Sequence, residues 1–193
     1  IWTNNELEAN FQTIREELLR TGVVEAVCKS NSPITSIFSN NEIEWEGKIS
    51  EQRVAFSTIA TEYDYTKTMG IKMLVGRDFS RDFNDSSSTV INQAAVHLMA
   101  MDNPIGQKIK MNGRDLEIIG VMPNVVMGSP YQPVEPMTLI FDPEWSSTIT
   151  VRLNKTPDLN ASVETIQSVF KKHNPTYPLW YRFADSDFEN NVL

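Results

Sequence analysis

The stretch QKIKMNGRDLEIIGV, residues 107–121, carries the clearest structural signal in the chain. Apolar and polar side chains alternate on both sides of Asn112-Gly113, and a period of two is typical of strands. Asn-Gly is a preferred pair in two-residue hairpin turns, because both central residues of such a turn have positive φ angles. The stretch therefore predicts a β-hairpin with strands at 107–111 and 114–121.

The N-terminal part of the chain predicts a strand–helix–strand unit. Strands are expected at 1–3 and 23–29, and the helix between them has Gly22 just beyond its end, where a left-handed residue commonly terminates a helix. One helical face is marked by apolar side chains spaced four, three and four residues apart. These are Leu7, Phe11, Ile14 and Leu18.

The C-terminal part repeats this order. A strand at 148–153 precedes a helix at 160–173, and Leu179, Tyr181 and Phe183 then alternate as a closing strand. The middle of the chain holds the hairpin and a helix capped by Asn92. Two β-α-β units would thus bracket an inserted small lobe, which is an α+β fold. Further strands are expected at 43–47, 53–60, 90–91 and 137–141, with a short helix at 64–69.

Length and composition fit one globular domain or two small lobes. The chain has 193 residues, of which 40% are apolar and 22% charged, and this excludes disordered and low-complexity proteins. Acidic residues outnumber basic ones 25 to 17, and no cluster of Lys and Arg is present. We therefore expect no nucleic-acid partner, because a phosphate backbone requires a basic surface.

The sequence contains no motif for catalysis or for cofactor binding. Phosphate-binding loops, the nucleophile elbow GxSxG and the zinc helix HExxH are all absent. The only cysteine is Cys28, and the two histidines, His97 and His173, lie far apart in sequence. We assign no catalytic residue, no metal ligand and no cofactor.

Two acidic patterns have a chemical and a structural interpretation. Alternating glutamates at 42, 44 and 46 form either a row of acid–base groups or the solvated face of an edge strand, and the second is favoured. Residues 82–93 begin like a calcium loop but have Ser87 at the sixth position and Gln93 at the twelfth. A solvated loop is the better interpretation.

A proline-broken, methionine-containing loop is the candidate contact surface. Flexible apolar side chains on a loop are typical of partner binding, whereas the alternative is that the loop folds beneath the hairpin as core. The candidate contact residues are Met122, Val125, Val126, Met127 and Tyr131.

Three stretches, in matching order and spacing, resemble the MacB-type periplasmic core domain of FtsX-family ABC transporter permeases, especially the Bacteroidetes-like members. They are YDYTKTMGIKMLVGRDF at 63–79, VINQAA at 90–95 with NPIGQKI at 103–109, and IIGV at 118–121 followed by a proline-rich loop and a strand to Phe141. This sequence departs from many members after Val121, where it has MPNVV rather than a charged or aromatic run.

The resemblance implies a domain between the first two of four membrane helices, facing the periplasm from the bacterial inner membrane. A porter-like lobe would comprise 1–75 plus 137–193, and a Sabre-like inserted lobe 76–136. Gly76, Pro133 and Pro136 at the crossings between the lobes are hinge candidates, with more bending expected at Gly76.

The resemblance also implies a function without chemistry of its own. ATP would be hydrolysed on a separate nucleotide-binding domain, and this domain would relay the motion to export of a substrate. Implied partners are an ABC ATPase reached through the membrane part, a second permease copy, and a periplasmic adaptor with an outer-membrane channel. The alternative functions are a soluble module that binds a ligand or peptide in the cleft between lobes and, less favoured, a carboxylate hydrolase.

Overall fold

The computed structural model describes residues 1, 5–49, 54–125, 133–155, 158–175 and 178–184. Its helices are α1 (Asn5–Ala9), α2 (Phe11–Arg20), α3 (Tyr65–Met69), α4 (Gln93–Met99) and α5 (Leu159–His173). Its strands are β1 (Val24–Ser30), β2 (Asn40–Trp45), β3 (Ala55–Thr61), β4 (Val75–Gly76), β5 (Ser88–Asn92), β6 (Lys108–Met111), β7 (Arg114–Met122), β8 (Met137–Phe141) and β9 (Thr148–Leu153). The mixture of helices and sheet confirms the α+β class.

The predicted N-terminal helix forms as α1 and α2, with a break at Asn10. All four side chains of its predicted apolar face are buried. They pack against β1, β9 and the inner face of α5, where Ile166 and Phe170 are buried. Gly22 follows the helix with φ +76°, as expected for a glycine just beyond a helix end.

The predicted hairpin is confirmed as β6 and β7. Asn112 and Gly113 have φ angles of 51° and 78°, the pair of positive values that this turn requires. Ile109 lies opposite Leu116 in the ladder, and both side chains are buried.

Six strands close on themselves around one core. Along the sheet β2, β6, β7, β5, β8 and β3 are neighbours in this order, and β3 pairs again with β2. Each of these strands contributes to a single buried cluster, which α4 joins through Ala95 and Met99. β1 and β9 extend the sheet from β3, beyond the closed part.

This pairing joins strands from both predicted lobes. β6 of segment 76–136 pairs with β2 of segment 1–75, and β5 pairs with β8 of segment 137–193. The division into a porter-like and a Sabre-like lobe stays a prediction.

The expected closing strand is wrong for this structure. Residues 178–183 form no strand, and Trp180, Tyr181 and Phe183 are exposed, Trp180 by 74%. The described residues from 148 to 183 therefore comprise a strand, a helix and an irregular segment. No described helix combines the length and the apolar character needed to cross a bilayer.

Candidate functional site

Of the predicted contact residues, only Met122 and Val125 lie among the described residues, and Met122 lies in the core. Met122 ends β7 fully buried among Cys28, Tyr65 and Leu139, so it is not available to a partner. Met122 is buried because both faces of β7 are covered from Ile118 onward, with Ile118 and Val121 in one cluster and Ile119 and Met122 in another. Val125 is half-buried against the same cluster. Val126, Met127 and Tyr131 lie outside the described residues.

Gly76 is held in a very close backbone contact. It lies opposite Gly120 across the β4–β7 pair and has φ +74°. A Cβ at Gly76 would lie 2.2 Å from the carbonyl oxygen of Ile119, and a Cβ at Gly120 would lie 2.2 Å from that of Arg77. Only two glycines allow this approach, which explains the glycine at 76 in the first motif and the glycine at 120 in the third.

The second crossing, at 133–137, is fixed by one buried amide. Asn92 Nδ2 donates to the carbonyl oxygen of Glu135 at 2.9 Å, and its Oδ1 accepts the backbone N–H of Met137 at 2.9 Å. Pro136 accepts a backbone hydrogen bond from β3 at 2.9 Å, whereas Pro133 is exposed. The sequence signalled Asn92 as a helix cap, which it is, but nothing in it indicated this second use.

A bidentate ion pair organises the loop after β4. Arg77 donates to both carboxylate oxygens of Asp85, at 2.8 and 3.0 Å, and stacks over the ring of Phe83. Burial alone would raise the pKa of Asp85, but the bonds from Arg77 and from the backbone N–H of Ser80 bring it below its usual value. Within the segment that begins like a calcium loop, Asp82 accepts from Ser80 Oγ at 3.2 Å, and Asp85 binds Arg77.

A second ionic cluster joins α2 to this loop. Asp64, with a left-handed φ of 69°, accepts from Arg15 of α2 and, at 3.2 Å, from Arg81 of the loop. The neighbouring Asp78 accepts from Thr66 of α3, and burial nevertheless raises its pKa. Burial likewise raises the pKa of Glu62, against the opposing charge of Lys29. These contacts tie α2, α3 and the 77–85 loop together.

Cys28 and the glutamates at 42, 44 and 46 lie where neither catalysis nor metal binding is supported. Burial raises the pKa of the Cys28 thiol to about 12, so the thiol is unreactive. The glutamates at 42, 44 and 46 are exposed, although β2 is paired on both edges rather than lying at an edge. Within the described ranges no three acidic, histidine or cysteine side chains come close enough to hold a metal.

A groove of about 590 Å³ lies beside β9. Its walls are the loop at 33–38, one side of α5 and the segment 179–184, and all its lining residues belong to 1–75 or 137–193. Ile1 stands at the same groove as Ala184. This groove is therefore not a cleft between the two predicted lobes.

The arrangement of strands and helices is shared with solved transporter domains. The extracellular domain of the ABC-type transporter YknZ from Gram-positive bacteria superposes with a TM-score of 0.61 at 13% identity, covering 92% of each chain. The periplasmic region of MacB from Actinobacillus actinomycetemcomitans gives 0.61 at 14% identity, covering 93% of this chain and 81% of that one. A permease domain from Porphyromonas gingivalis gives 0.55 at 15%, covering 81% and 68%.

The sequence itself decides the family. Residues 3–169 match the MacB-like periplasmic core domain. This chain belongs to that family. None of the curated proteins matches it.

Membership of the MacB-like family confirms the resemblance drawn from the sequence motifs. The chain is a MacB-like periplasmic core domain of an ABC transporter permease, which is a transporter component rather than an enzyme. Such domains face the periplasm or the cell exterior, and MacB-like transporters in general work with an ATPase.

Proposed function

We propose that this domain relays an ATP-driven conformational change to the export of a substrate across the cell envelope. The observation that carries the proposal is the position of the first described residue and the last described segment within a MacB-like fold. Ile1 and residues 179–184 line one groove, so these two parts of the chain lie on the same side of the domain. A domain inserted between two membrane helices requires this arrangement.

The proposed partners follow from membership of a permease family. A separate ATPase subunit or domain would act through the membrane part, and a second permease copy would supply the opposing domain. A periplasmic adaptor and an outer-membrane channel would complete the path. The loop that contains Val125 is the proposed contact surface on this chain.

The relay could use one of two motions, which differ in the contacts that must break. In the first, the lobes move against each other at Gly76 and the 133–136 crossing. That motion must break the β2–β6 and β5–β8 pairs and the Arg81–Asp64 ion pair. In the second, the domain moves as one body against its copy, and none of these contacts changes.

A disulfide across β2 and β6 distinguishes the two forms. Glu44 and Lys110 are exposed Cα partners in these strands, so Glu44→Cys with Lys110→Cys locks the lobes without entering the core. We expect loss of ATP-dependent export with ATP binding retained if the lobes move, and normal export if the domain moves as one body. Each single cysteine variant is the control.

The relay itself is tested by distance measurements in the whole permease. A spin label at exposed Glu144 in each copy should report a change of separation when ATP is bound and hydrolysed in membrane vesicles. The relay is contradicted if this distance stays fixed through the ATP cycle of a permease that exports.

A further inference from the structure

Lys29 of β1 and Glu62, which directly follows β3, form a buried cross-strand pair of opposite charges. Ser30 lies opposite Thr61 in the antiparallel register of these strands, so Lys29 and Glu62 lie opposite each other as well. Residues that lie opposite each other project from the same face of a sheet, and their side chains normally interact. The exposed fractions of Lys29 and Glu62 are only 7% and 5%, so both charged groups have left the solvent.

The two charged groups are nevertheless turned away from each other. Lys29 Nζ donates to the carbonyl oxygen of Pro143 at 3.4 Å and lies 5.1 Å from the centre of the Phe11 ring in α2. The hydrogen bond that the Glu62 carboxylate accepts in the described part of the chain is also long, 3.4 Å from Gln12 Nε2. Such long bonds compensate poorly for the burial of two full charges. The arrangement therefore suits an uncharged Glu62.

The groups that surround Glu62 come from several elements. They are Lys29 of β1, Arg15 of α2, Arg81 of the loop after β4, Asp64 before α3 and the buried Cys28 of β1. Burial is the largest influence and raises the pKa of Glu62, although the three cations oppose it. Arg15 and Arg81 are both bound to Asp64. Lys29 is therefore the cation best placed to respond to a charge on Glu62.

We propose that Glu62 is a proton switch that controls where the Lys29 ammonium binds. While Glu62 is uncharged, the ammonium stays against Phe11 and Pro143 and holds α2 and the segment after β8 on β1. When Glu62 gives its proton to water, the ammonium crosses the strand pair to the carboxylate and both contacts are released, because a buried carboxylate requires a partner. The switch goes beyond the proposed relay, since it needs only a domain that faces the periplasm or the cell exterior.

The sign of the pH effect follows from the direction of the shift. The pKa of Glu62 is higher in the folded chain than its ordinary value of 4.5, so folding takes up a proton between the two values. The stabilisation is complete below the ordinary value and is lost as pH rises through the folded value. Asp85 has a lowered pKa and behaves in the opposite way. The contact between Lys29 and Phe11 should therefore be present on the acid side and released on the alkaline side.

An NMR titration of the 193-residue chain tests the protonation of Glu62. Its side-chain carboxyl carbon is observed with labelled glutamate and is assigned as the resonance that Glu62→Gln lacks. We expect a titration midpoint above 4.5, and a still higher one in Lys29→Met, which removes the strongest opposing charge and keeps a long side chain. Lys172→Met, which removes an exposed lysine bound to Glu17, is the control and should leave the midpoint unchanged. A midpoint at or below 4.5, or one that Lys29→Met does not raise, would overturn the proposal.

The Phe11 ring reports the position of Lys29 in the same titration. In the parent chain the ring resonances should shift with the midpoint of the Glu62 carboxyl, because the ammonium leaves the ring. In Glu62→Gln, which stays uncharged, the ring should keep its acid-side resonances at every pH. A ring that does not respond in the parent chain, or that responds equally in Glu62→Gln, would overturn the proposal.

Denaturant unfolding gives an independent test of the sign. The denaturant midpoint of Glu62→Gln should exceed that of the parent chain at pH 7, and the difference should disappear at pH 4, where the parent carboxyl is itself protonated. Glu164→Gln makes the same chemical change at an exposed position of α5 and should alter the midpoint little at either pH. A difference between Glu62→Gln and the parent chain that is independent of pH would overturn the switch.

The switch and the relay fail separately. All three measurements use the 193-residue chain without the membrane part, so a negative result overturns the switch and leaves the relay. Domains that do not respond to ATP in the whole permease overturn the relay and leave the switch.

Discussion

β7 and β9 differ in how completely their edges are paired. β7 is bordered by β5 on one side, and by β6 and then β4 on the other. β9 has β1 on one side and, among the described residues, only Ile1 on the other. Within the described part of the chain, β7 is paired with strands along both edges, whereas β9 is paired with a strand along one edge only. Substitutions in the two regions should therefore differ in effect.

The largest effect is expected at the contact between β4 and β7. Gly120→Val places a side chain against the carbonyl oxygen of Arg77 in a region that is paired on both sides, so the strands must separate. We expect a loss of more than about 4 kcal/mol in the free energy of unfolding, measured by denaturant titration. Gly47→Ala is the control, because no atom lies within 4 Å of its Cβ and only the cost of a positive φ remains. Equal losses in the two variants would contradict the close contact.

Leu18→Ala tests how tightly the core against β1 and β9 is packed. Leu18 is fully buried in that core, so its truncation should cost about 2–5 kcal/mol in denaturant titration. The half-buried neighbour Leu19 provides a control, since Leu19→Ala removes a similar side chain from a partly solvated site. A loss below about 0.5 kcal/mol at Leu18 would mean that this core is still loosely packed.

Asp85→Asn tests the ion pair that orders the loop next to β7. Removing the charge weakens two hydrogen bonds from Arg77 and should cost about 1.5–3 kcal/mol at neutral pH. Because the pKa of Asp85 is lower in the folded state, its contribution is present above the unfolded value of 3.8 and is lost as pH falls through the folded value. Stability of the variant measured from pH 7 to pH 2 should therefore fall less steeply than that of the parent chain. A parallel decline in the two proteins would contradict the pairing.

Gly113→Val probes the turn of the hairpin. Valine at a φ of 78° should lower the free energy of unfolding by about 1–2 kcal/mol or shift the register of β6 against β7. Asn112→Gly keeps a residue that accepts positive φ and should be nearly neutral. An unchanged melting temperature in Gly113→Val would contradict the hairpin.

The smallest effect is expected in the irregular segment 178–183. Trp180 is 74% exposed, so Trp180→Ala should change the stability of the 193-residue domain by less than about 0.5 kcal/mol. Calorimetry of the variant and the parent chain makes the comparison, and a loss above about 2 kcal/mol would contradict the exposed position of Trp180.

Patterns confined to a few neighbouring residues were determined by the sequence alone. The hairpin at Asn112-Gly113, the helical face from Leu7 to Leu18 and the strands β8 and β9 form as predicted, because periodicity and turn chemistry act locally. The motifs at 63–79 and 118–121 pointed to the family that the family model confirms, and the tight β4–β7 contact explains Gly76 and Gly120 within them.

Only the tertiary structure decided which strands become neighbours and what each residue meets there. The six-strand closure depends on contacts between distant segments, such as Thr89 of β5 with Ile140 of β8, that no local pattern encodes. Met122 looked like a loop contact and is buried because β7 continues through it. Residues 179–183 alternate as regularly as a true strand, yet remain irregular, because a strand forms only where another backbone satisfies its hydrogen bonds.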